Sequence, residues 1–381
     1  MKPIFSGSTL VLLPLLCAQP LAAKELEKAD DAVEPAAAAA TTAESEPIIV
    51  SHVPLHPAAG LMNEHTHDGG EFMLGLRYSR ARSSGTPQAD TDPISDEDIY
   101  AAGYTVRAEE MVMDMVMLDI MYAPNDKLTL MVMPHWMRHE MTMVGIDPMN
   151  TGMDMGGTMD MPMDHAHAGL AFGQTMTHAT QGFSDTLVSA SYRLAHSRAL
   201  KLHATLGLWA PTGSVDRKNA DGIFVHYAMQ SGSGTWDIEP SVTARGQAGA
   251  MGWGVQASYR WRTESANASG FAFGDRAAAS AWASWLASPD LSLSGRLSYE
   301  HEGRILGHYN GAHRHATPSD RQANYGGDKM FASAGLNYAL PFGGAKPVQL
   351  GVEAGLPLYQ DLNGIQLSES WRIAVSLSKA F

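Results

Sequence analysis

Short runs in which apolar residues alternate with polar or small ones dominate the chain from residue 71 onward. In the run 72–78, Phe, Leu, Leu and Tyr alternate with Met, Gly and Arg, and the runs 200–209 and 253–262 repeat the pattern. Successive side chains of a β-strand point to opposite faces, so a period of two predicts strands with one apolar face. After the first 23 residues, no stretch contains the roughly 18 apolar residues that a membrane-spanning helix needs. The sequence therefore favours an all-β protein and excludes a helical membrane protein.

The number of runs and the spacing between them specify the kind of β protein. About 12 runs are present, and they lie near residues 71–80, 112–122, 128–141, 185–194, 200–210, 235–246, 253–262, 276–286, 291–302, 329–339, 348–358 and 371–381. Short turns, such as 123–126 and 287–290, alternate with long loops. An even strand number with this alternation is typical of transmembrane barrels. We predict a transmembrane antiparallel β-barrel over residues 69–381, with short periplasmic turns and long external loops.

The residues ahead of the barrel indicate export. Residues 1–23 resemble a signal peptide, with Lys2, an apolar core from Ser8 to Leu16, and a small-residue cleavage site ending at Ala23. Residues 24–50 mix Ala with charged residues, and we predict that 24–68 form a disordered periplasmic lead. Cys17 is the single cysteine, so the mature chain has no thiol for a disulfide or a thiolate metal site. The predicted location is the outer membrane of a Gram-negative bacterium.

Charge and motifs exclude two classes of function. The chain is acidic, with a formal charge of -14, and this excludes binding to nucleic-acid phosphates. No nucleophile motif accompanies the histidines of the runs, and we therefore predict that the protein is not an enzyme. Interior charges are instead expected to pair with one another, namely Arg77, Asp237, Glu239, Arg245, Arg260, Arg262, Arg296, Glu300 and Glu353.

The last run predicts two partners. It places Trp371, Ile373, Val375, Leu377 and Phe381 on one face and ends with an aromatic residue. An aromatic end of the last strand resembles the signal that the barrel-assembly machinery recognises. We expect this machinery to be a partner during folding and outer-membrane lipid to be the partner of the finished barrel.

Three segments carry a family resemblance. LGLWAPTGS (206–214), SGSGTWDIEP (231–240) and GLPLYQDLNGIQLSESW (355–371) resemble the "MetA-pathway of phenol degradation" family of outer-membrane barrels. The resemblance covers most of residues 65–381. It implies a barrel and a role in transport, and it carries over no catalytic motif.

Methionine is concentrated in one part of the chain, because 17 of the 23 methionines lie between Met111 and Met176. Alternate positions of the third run share one face: Met131, Met133, His135, Met137, His139 and Met141. Imidazoles turned toward lipid would cost of order 1 kcal/mol or more each. We therefore expect this face to line the lumen, together with the alternate methionines from Met111 to Met121 of the preceding run.

The predicted external loop, at about residues 142–182, continues the pattern with Met153, Met155, Met159, Met161, Met163, His165 and His167. Thioethers are soft ligands that select Cu(I), and imidazole also accepts Cu(II). Neighbouring sulfurs of an extended Met-x-Met stretch lie about 6.5–7 Å apart, which favours a series of weak sites. We predict that these lumen and loop residues contact copper in a channel or transporter-like barrel.

Two alternatives use the same residues. Methionine also fills irregular space and packs against apolar molecules, so the barrel would pass small hydrophobic or aromatic compounds. Sequestration of metal at the cell surface without transport is the second alternative. Five other histidines are expected to be solvated and not to bind metal: His65, His67, His308, His313 and His315.

Overall fold

A computed structural model describes residues 51–57, 59–150, 169–197, 199–344 and 346–381. In these residues, twelve antiparallel strands form one closed wall. The strands are β1 (Phe72–Ser84), β2 (Val106–Asn125), β3 (Leu128–Met133 and His135–Gly145), β4 (Thr175–Phe183 and Thr186–His196), β5 (Lys201–Ala210), β6 (Asp237–Ala248), β7 (Met251–Arg262), β8 (Arg276–Ser288), β9 (Leu291–Glu302), β10 (Gly327–Ala339), β11 (Gln349–Gln366) and β12 (Glu369–Ala380).

The wall closes because the first strand pairs on both sides. Leu76 of β1 lies opposite Leu377 of β12 on one side and opposite Leu118 of β2 on the other. Each of the other strands pairs with its neighbours in sequence, so the sheet has no free edge. The prediction of an antiparallel barrel with about 12 strands is confirmed.

The outer face of the wall is apolar. Leu76, Leu206 and Leu356 point outward and are 51%, 58% and 62% exposed. Such a surface is unstable in water and stable against lipid. Toward the loop end the apolar band gives way to charge at Asp114, whose carboxylate lies 2.8 Å from Nε of Arg80. Within the described ranges, no helix is long and apolar enough to cross a membrane.

The two ends of the barrel differ as predicted, and we call the short-turn end periplasmic and the long-loop end external. The strands extend further outward than the apolar alternation indicates. As a result, the connection between β11 and β12 is only residues 367–368, and the Met-rich external loop spans 146–174, not 142–182. The cause is that hydrogen bonding between strands continues beyond the lipid, where side chains no longer need to alternate.

Two neighbouring strands are interrupted at the same level. Pro134 divides β3 because it has no N–H to donate to the sheet. Beside it, residues 184 and 185 divide β4, and the Asp185 carbonyl accepts a hydrogen bond of 2.8 Å from Nδ1 of His135.

Residues 51–57 and 59–68, here named the lumen segment, differ from the predicted disordered lead because they are ordered inside the barrel. The backbone N–H of His52 donates to Pro289 at the periplasmic end. Asn63, in a left-handed conformation, accepts from Nε2 of His203 at 2.8 Å. The Arg193 guanidinium then holds the carbonyl of His67 at 2.9 Å. The segment thus enters the lumen, turns and returns, and residues 24–50 lie outside the described part of the chain.

The external loops contain short elements and an aromatic core. The elements are a helix at Asp96–Ala101, 3-10 turns at Tyr227–Met229, Pro318–Asp320 and Gln322–Asn324, and short strands at Gln88–Asp90, Asp92–Pro93, Phe271–Ala272 and Leu306–Gly307. The ring of Tyr309 stacks on Phe224 and Tyr227, with centroid distances of 4.2 and 4.4 Å. We name this cluster, with Phe271, the aromatic cap.

Candidate functional site

A cavity of about 430 Å³ occupies the external half of the lumen. Strand residues form its sides, and loop residues such as Gln230 and Tyr325 form its outer boundary. A smaller cavity of about 110 Å³ borders residues 60–63 of the lumen segment and shares Arg260, Arg276 and Glu300 with the first. The two cavities therefore lie in sequence between the aromatic cap and the lumen segment.

One wall of the larger cavity is rich in sulfur. It consists of Met111, Met113, Met137, His139 and Met141, all on the inward positions of β2 and β3. The register sets Met113 directly opposite His139 and Met111 opposite Met141. Directly opposed residues of an antiparallel pair have Cβ atoms about 4.5–5.5 Å apart, so their side chains are in reach of one another. The expectation that this face lines the lumen is confirmed for these residues.

The cavity wall on the opposite side of the barrel, from β6 to β9, is charged. Arg260 pairs with Glu239 at 2.9 Å, and Arg276 pairs with Glu300 at 2.8 Å. Arg262 also pairs with Asp237 at this level. The predicted pairing of interior charges is confirmed for these residues, for Arg296 with Glu353, and for Arg77, whose partner is Asp119. It is wrong for Arg245, which forms no ion pair with the described residues and whose buried Nε atom has no hydrogen-bond partner. Because each guanidinium that lines the cavity faces a carboxylate, this wall offers hydrogen-bonding groups with little net charge.

The inward face of β3 from Met131 to Met141 is here named the methionine face. Its periplasmic part borders neither cavity. Met131 and Met133 are buried against Met117, Met121 and Met62 of the lumen segment. His135 lies beside the Trp209 ring at a centroid distance of 5.2 Å. The alternation in the sequence predicted the same position in the lumen for all six residues of β3. In the structure, the lumen segment covers the periplasmic half of this face, and only Met137, His139 and Met141 border the larger cavity.

Three imidazoles in the described strands have a buried ring nitrogen without a hydrogen-bond partner. They are Nε2 of His135, Nδ1 of His139 and Nδ1 of His178. A buried polar atom without a partner costs about 1–3 kcal/mol unless water or a ligand satisfies it. His139 lies on the sulfur-rich wall, and its buried Nδ1 atom is left without a partner there.

The predicted loop ligands cannot be located in the same way. Met153, Met155, Met159, Met161, Met163, His165 and His167 lie outside the described residues. Their contact with copper stays a prediction, as does that of the β3 residues.

The aromatic cap was not predicted from sequence. Tyr309 is 3% exposed, and its hydroxyl donates to the Val225 carbonyl at 3.0 Å. Burial raises the pKa of this phenol, so it remains protonated and able to donate. Large aromatic residues in loop positions, such as Phe224 and Tyr227, could have indicated a packed cluster, because solvated loops rarely carry them.

Comparisons with known proteins agree with this architecture. A model of the "MetA-pathway of phenol degradation" family matches residues 150–356. The chain is similar to the COG4313 outer membrane channel from Pseudomonas putida F1, with 16% identity, a TM-score of 0.54, and coverage of 85% of this chain and 100% of that chain. It also resembles the P. putida toluene transporter TodX, with 11% identity, a TM-score of 0.39, and coverage of 83% and 91%. No curated protein matches the chain at a significant level.

The family and the location follow from these observations. The likeness to the P. putida channel, at its low identity, concerns the fold. A closed antiparallel barrel with an apolar outer band is the fold of Gram-negative outer-membrane proteins, and the chain is such a barrel. Because the family model matches more than half of its 381 residues, the chain belongs to the "MetA-pathway of phenol degradation" family.

Proposed function

We propose that this barrel is a channel through which small organic molecules, apolar or aromatic with a polar group, cross the outer membrane. The observation that carries the proposal is the two-sided cavity, with thioethers of Met111, Met113 and Met137 on one wall and paired Arg and Glu side chains on the other. Its volume of about 430 Å³ falls in the range of about 300–1,000 Å³ that is usual for small-molecule sites.

The chemistry of both walls fits such a solute. A thioether beside an aromatic ring contributes about 0.3–1.5 kcal/mol, and flexible methionines adapt to rings of different shape. The opposite wall supplies donors and acceptors for a hydroxyl or carboxyl group, while its paired charges give little preference for free ions. The description of the family, which refers to phenol degradation, agrees with an aromatic solute. These features support passage and give no support to a chemical reaction in the lumen.

A cavity-filling substitution tests the proposal. Ala81 of β1 lines the cavity, and Ala81→Trp should fill much of it. Leu76→Trp adds the same ring on the lipid-facing side of the same strand and is the matched control. Cells that carry the parent or Leu76→Trp should accumulate a radiolabelled phenol faster than cells without the protein, and Ala81→Trp should abolish the difference. Equal accumulation by both variants, with equal amounts of folded barrel, would contradict the proposal.

Contact with copper is a second candidate, and one observation favours it. Met113 and His139 face each other across β2 and β3, and the Nδ1 atom of His139 has no partner. A thioether beside a free imidazole is a donor set that suits Cu(I). Surface sequestration would depend on loop residues outside the described part and stays a hypothesis.

Matched pairs of leucine substitutions separate the two candidates. Met113→Leu with Met137→Leu removes sulfur from the cavity wall at nearly constant volume, whereas Met131→Leu with Met133→Leu removes it from the packed region. If copper is bound, the first pair should weaken Cu(I) binding and the second should not. Parent protein should then bind Cu(I) more tightly than Zn(II), because thioether favours the softer ion. Unchanged Cu(I) affinity in the first pair would remove the cavity wall as a copper site.

A further inference from the structure

The lumen segment contains a cluster of metal-binding side chains that is separate from the methionine face. His56, Glu64 and His65 each have a donor atom within 4.8 Å of those of the other two. They lie on the two sides of residues 59–63, which form the turn of the lumen segment. The prediction that His65 and His67 are solvated is wrong, because their side chains are only 16% and 8% exposed. Glu64 had no predicted role, because nothing in the spacing indicates that the chain folds back here.

The donor atoms are spaced as ligands of one ion would be. Oε1 of Glu64 lies 3.0 Å from Nδ1 of His65 and 3.6 Å from Nδ1 of His56. Without an ion, Nδ1 of His65 hydrogen-bonds to Glu64 and Nδ1 of His56 to the Pro57 carbonyl at 2.9 Å, and a bound ion would replace these two contacts. Bonds of about 2.0–2.1 Å in a tetrahedral arrangement place two ligand atoms roughly 3.3 Å apart. The rings of His56 and His65 are stacked at a centroid distance of 5.2 Å, so both present the same edge to Glu64.

The protonation states suit a cation as well. Burial lowers the pKa of His56, and it lowers the pKa of His65 to about 3. Both imidazoles are therefore neutral at pH 7, and each has one ring nitrogen with a lone pair. Burial works to raise the pKa of Glu64, but His65, His56 and Arg77 outweigh it and lower the pKa. The Glu64 side chain is 5% exposed. It is therefore a buried carboxylate between uncharged rings, a position that a cation would stabilise.

The groups around the cluster complete the arrangement. Nε2 of His65 lies 3.2 Å from Nε2 of His67, and Nδ1 of His67 lies 3.4 Å from the Glu71 carboxylate. A histidine that binds a metal through one nitrogen usually donates its other N–H to such a neighbour, and this contact fixes the orientation of the ring. Arg77 and Arg245 are the positive charges that act on this cluster. Asp119 already neutralises Arg77 at 3.0 Å, and Glu64 is the carboxylate that acts on Arg245.

We propose that His56, Glu64 and His65 form a binding site for a divalent ion with nitrogen and oxygen ligands, Zn²⁺ being the ion that fits the donor set. A bound ion would join residue 56 to residues 64 and 65 and so close the turn of the lumen segment between them. The site has no sulfur ligand, and it is independent of the proposed passage of organic molecules and of copper binding at the methionine face.

Titration of the folded mature barrel with Zn²⁺ tests the site. Compared with the parent, His56→Gln and His65→Gln should each lose one equivalent of Zn²⁺ or bind it at least tenfold more weakly. His52→Gln is the matched control, because His52 belongs to the same segment but pairs with Asp290 at the surface, and it should bind within twofold of the parent. Heat-dependent gel mobility establishes that each variant is folded.

X-ray absorption at the zinc edge gives a measurement that needs no variant. At one equivalent of Zn²⁺, the parent should show only nitrogen and oxygen neighbours at about 2.0–2.2 Å. Sulfur in the coordination sphere, or Zn²⁺ binding that is unchanged in both His56→Gln and His65→Gln, would overturn the proposal. Failure of the phenol accumulation test would leave this site unaffected, so the two proposals fail separately.

Discussion

Arg77 holds the lumen segment in place, and removing its charge should release that segment. Its Nη1 atom donates to the carbonyls of Ala59 at 2.8 Å and Leu61 at 2.6 Å. Hydrogen bonds from a charged group contribute about 1.5–3 kcal/mol each, so the two together stabilise docking by about 3–6 kcal/mol. Every 1.4 kcal/mol is about a factor of ten, so the undocked population should rise by about 100-fold or more.

The assay relies on the prediction that cleavage after residue 23 removes Cys17, the one cysteine of the sequence. Met62→Cys puts a single thiol on the lumen segment, where Met62 packs against the buried methionines. Arg77→Met with Asp119→Asn removes both buried charges without leaving one unpaired. In this background the thiol should react with a maleimide about 100-fold faster. Asp119→Asn alone, which keeps both bonds from Arg77 to the backbone, should change the rate less than tenfold. A rate within threefold of the parent in the double variant would refute this role of Arg77.

Three further predictions concern the cap, the topology and the last strand. Tyr309→Ala should loosen the aromatic cap at a cost of about 3–5 kcal/mol and speed proteolysis of the external loops, whereas Tyr309→Phe, which loses two hydrogen bonds but keeps the stacked ring, should have a smaller effect; equal cleavage of both variants would contradict the packing role. Tags inserted at Asp221 and at Asn125 should be accessible on intact cells only at Asp221, because these residues lie at opposite ends of the barrel, and equal labelling would contradict the orientation. Deletion of Phe381 should impair assembly more than deletion of residues 24–50, because it removes both the ring that lies 6.2 Å from that of Phe72 and the N–H that closes the barrel at the Phe72 carbonyl; a larger assembly defect on deletion of residues 24–50 would reverse this order.

The wall of the barrel was predictable because lipid imposes a simple rule on it. Wherever a strand contacts hydrocarbon, every second side chain must be apolar, as at Leu74 and Leu76, and the runs record this requirement directly. Beyond the lipid the requirement ends. This explains why residues 359–366 gave no alternation although they continue β11.

The contents of the lumen were less predictable, because the contacts there are made by polar side chains that do not recur at a regular spacing in the sequence. The lumen segment is held by side chains from widely separated strands, such as Arg77, Arg193 and His203, and no local pattern records such contacts. For the same reason, all residues of the methionine face were predicted to line the same open part of the lumen. Alternation establishes that Met133 and Met137 point inward, but only the depth reached by the lumen segment decides which one faces the cavity.

Chemical blocking of the cavity tests the proposed passage most directly, because it compares one protein before and after modification. Met137→Cys places a thiol on the cavity wall, and a bulky thiol reagent should then occupy the space that a solute needs. Tyr122→Cys, on the lipid-facing side of β2, is the control. We expect modification of Met137→Cys to reduce accumulation of labelled phenol to the level of cells without the protein, with no change in modified Tyr122→Cys. Accumulation that persists after complete modification of Met137→Cys would show that solutes do not pass through this cavity.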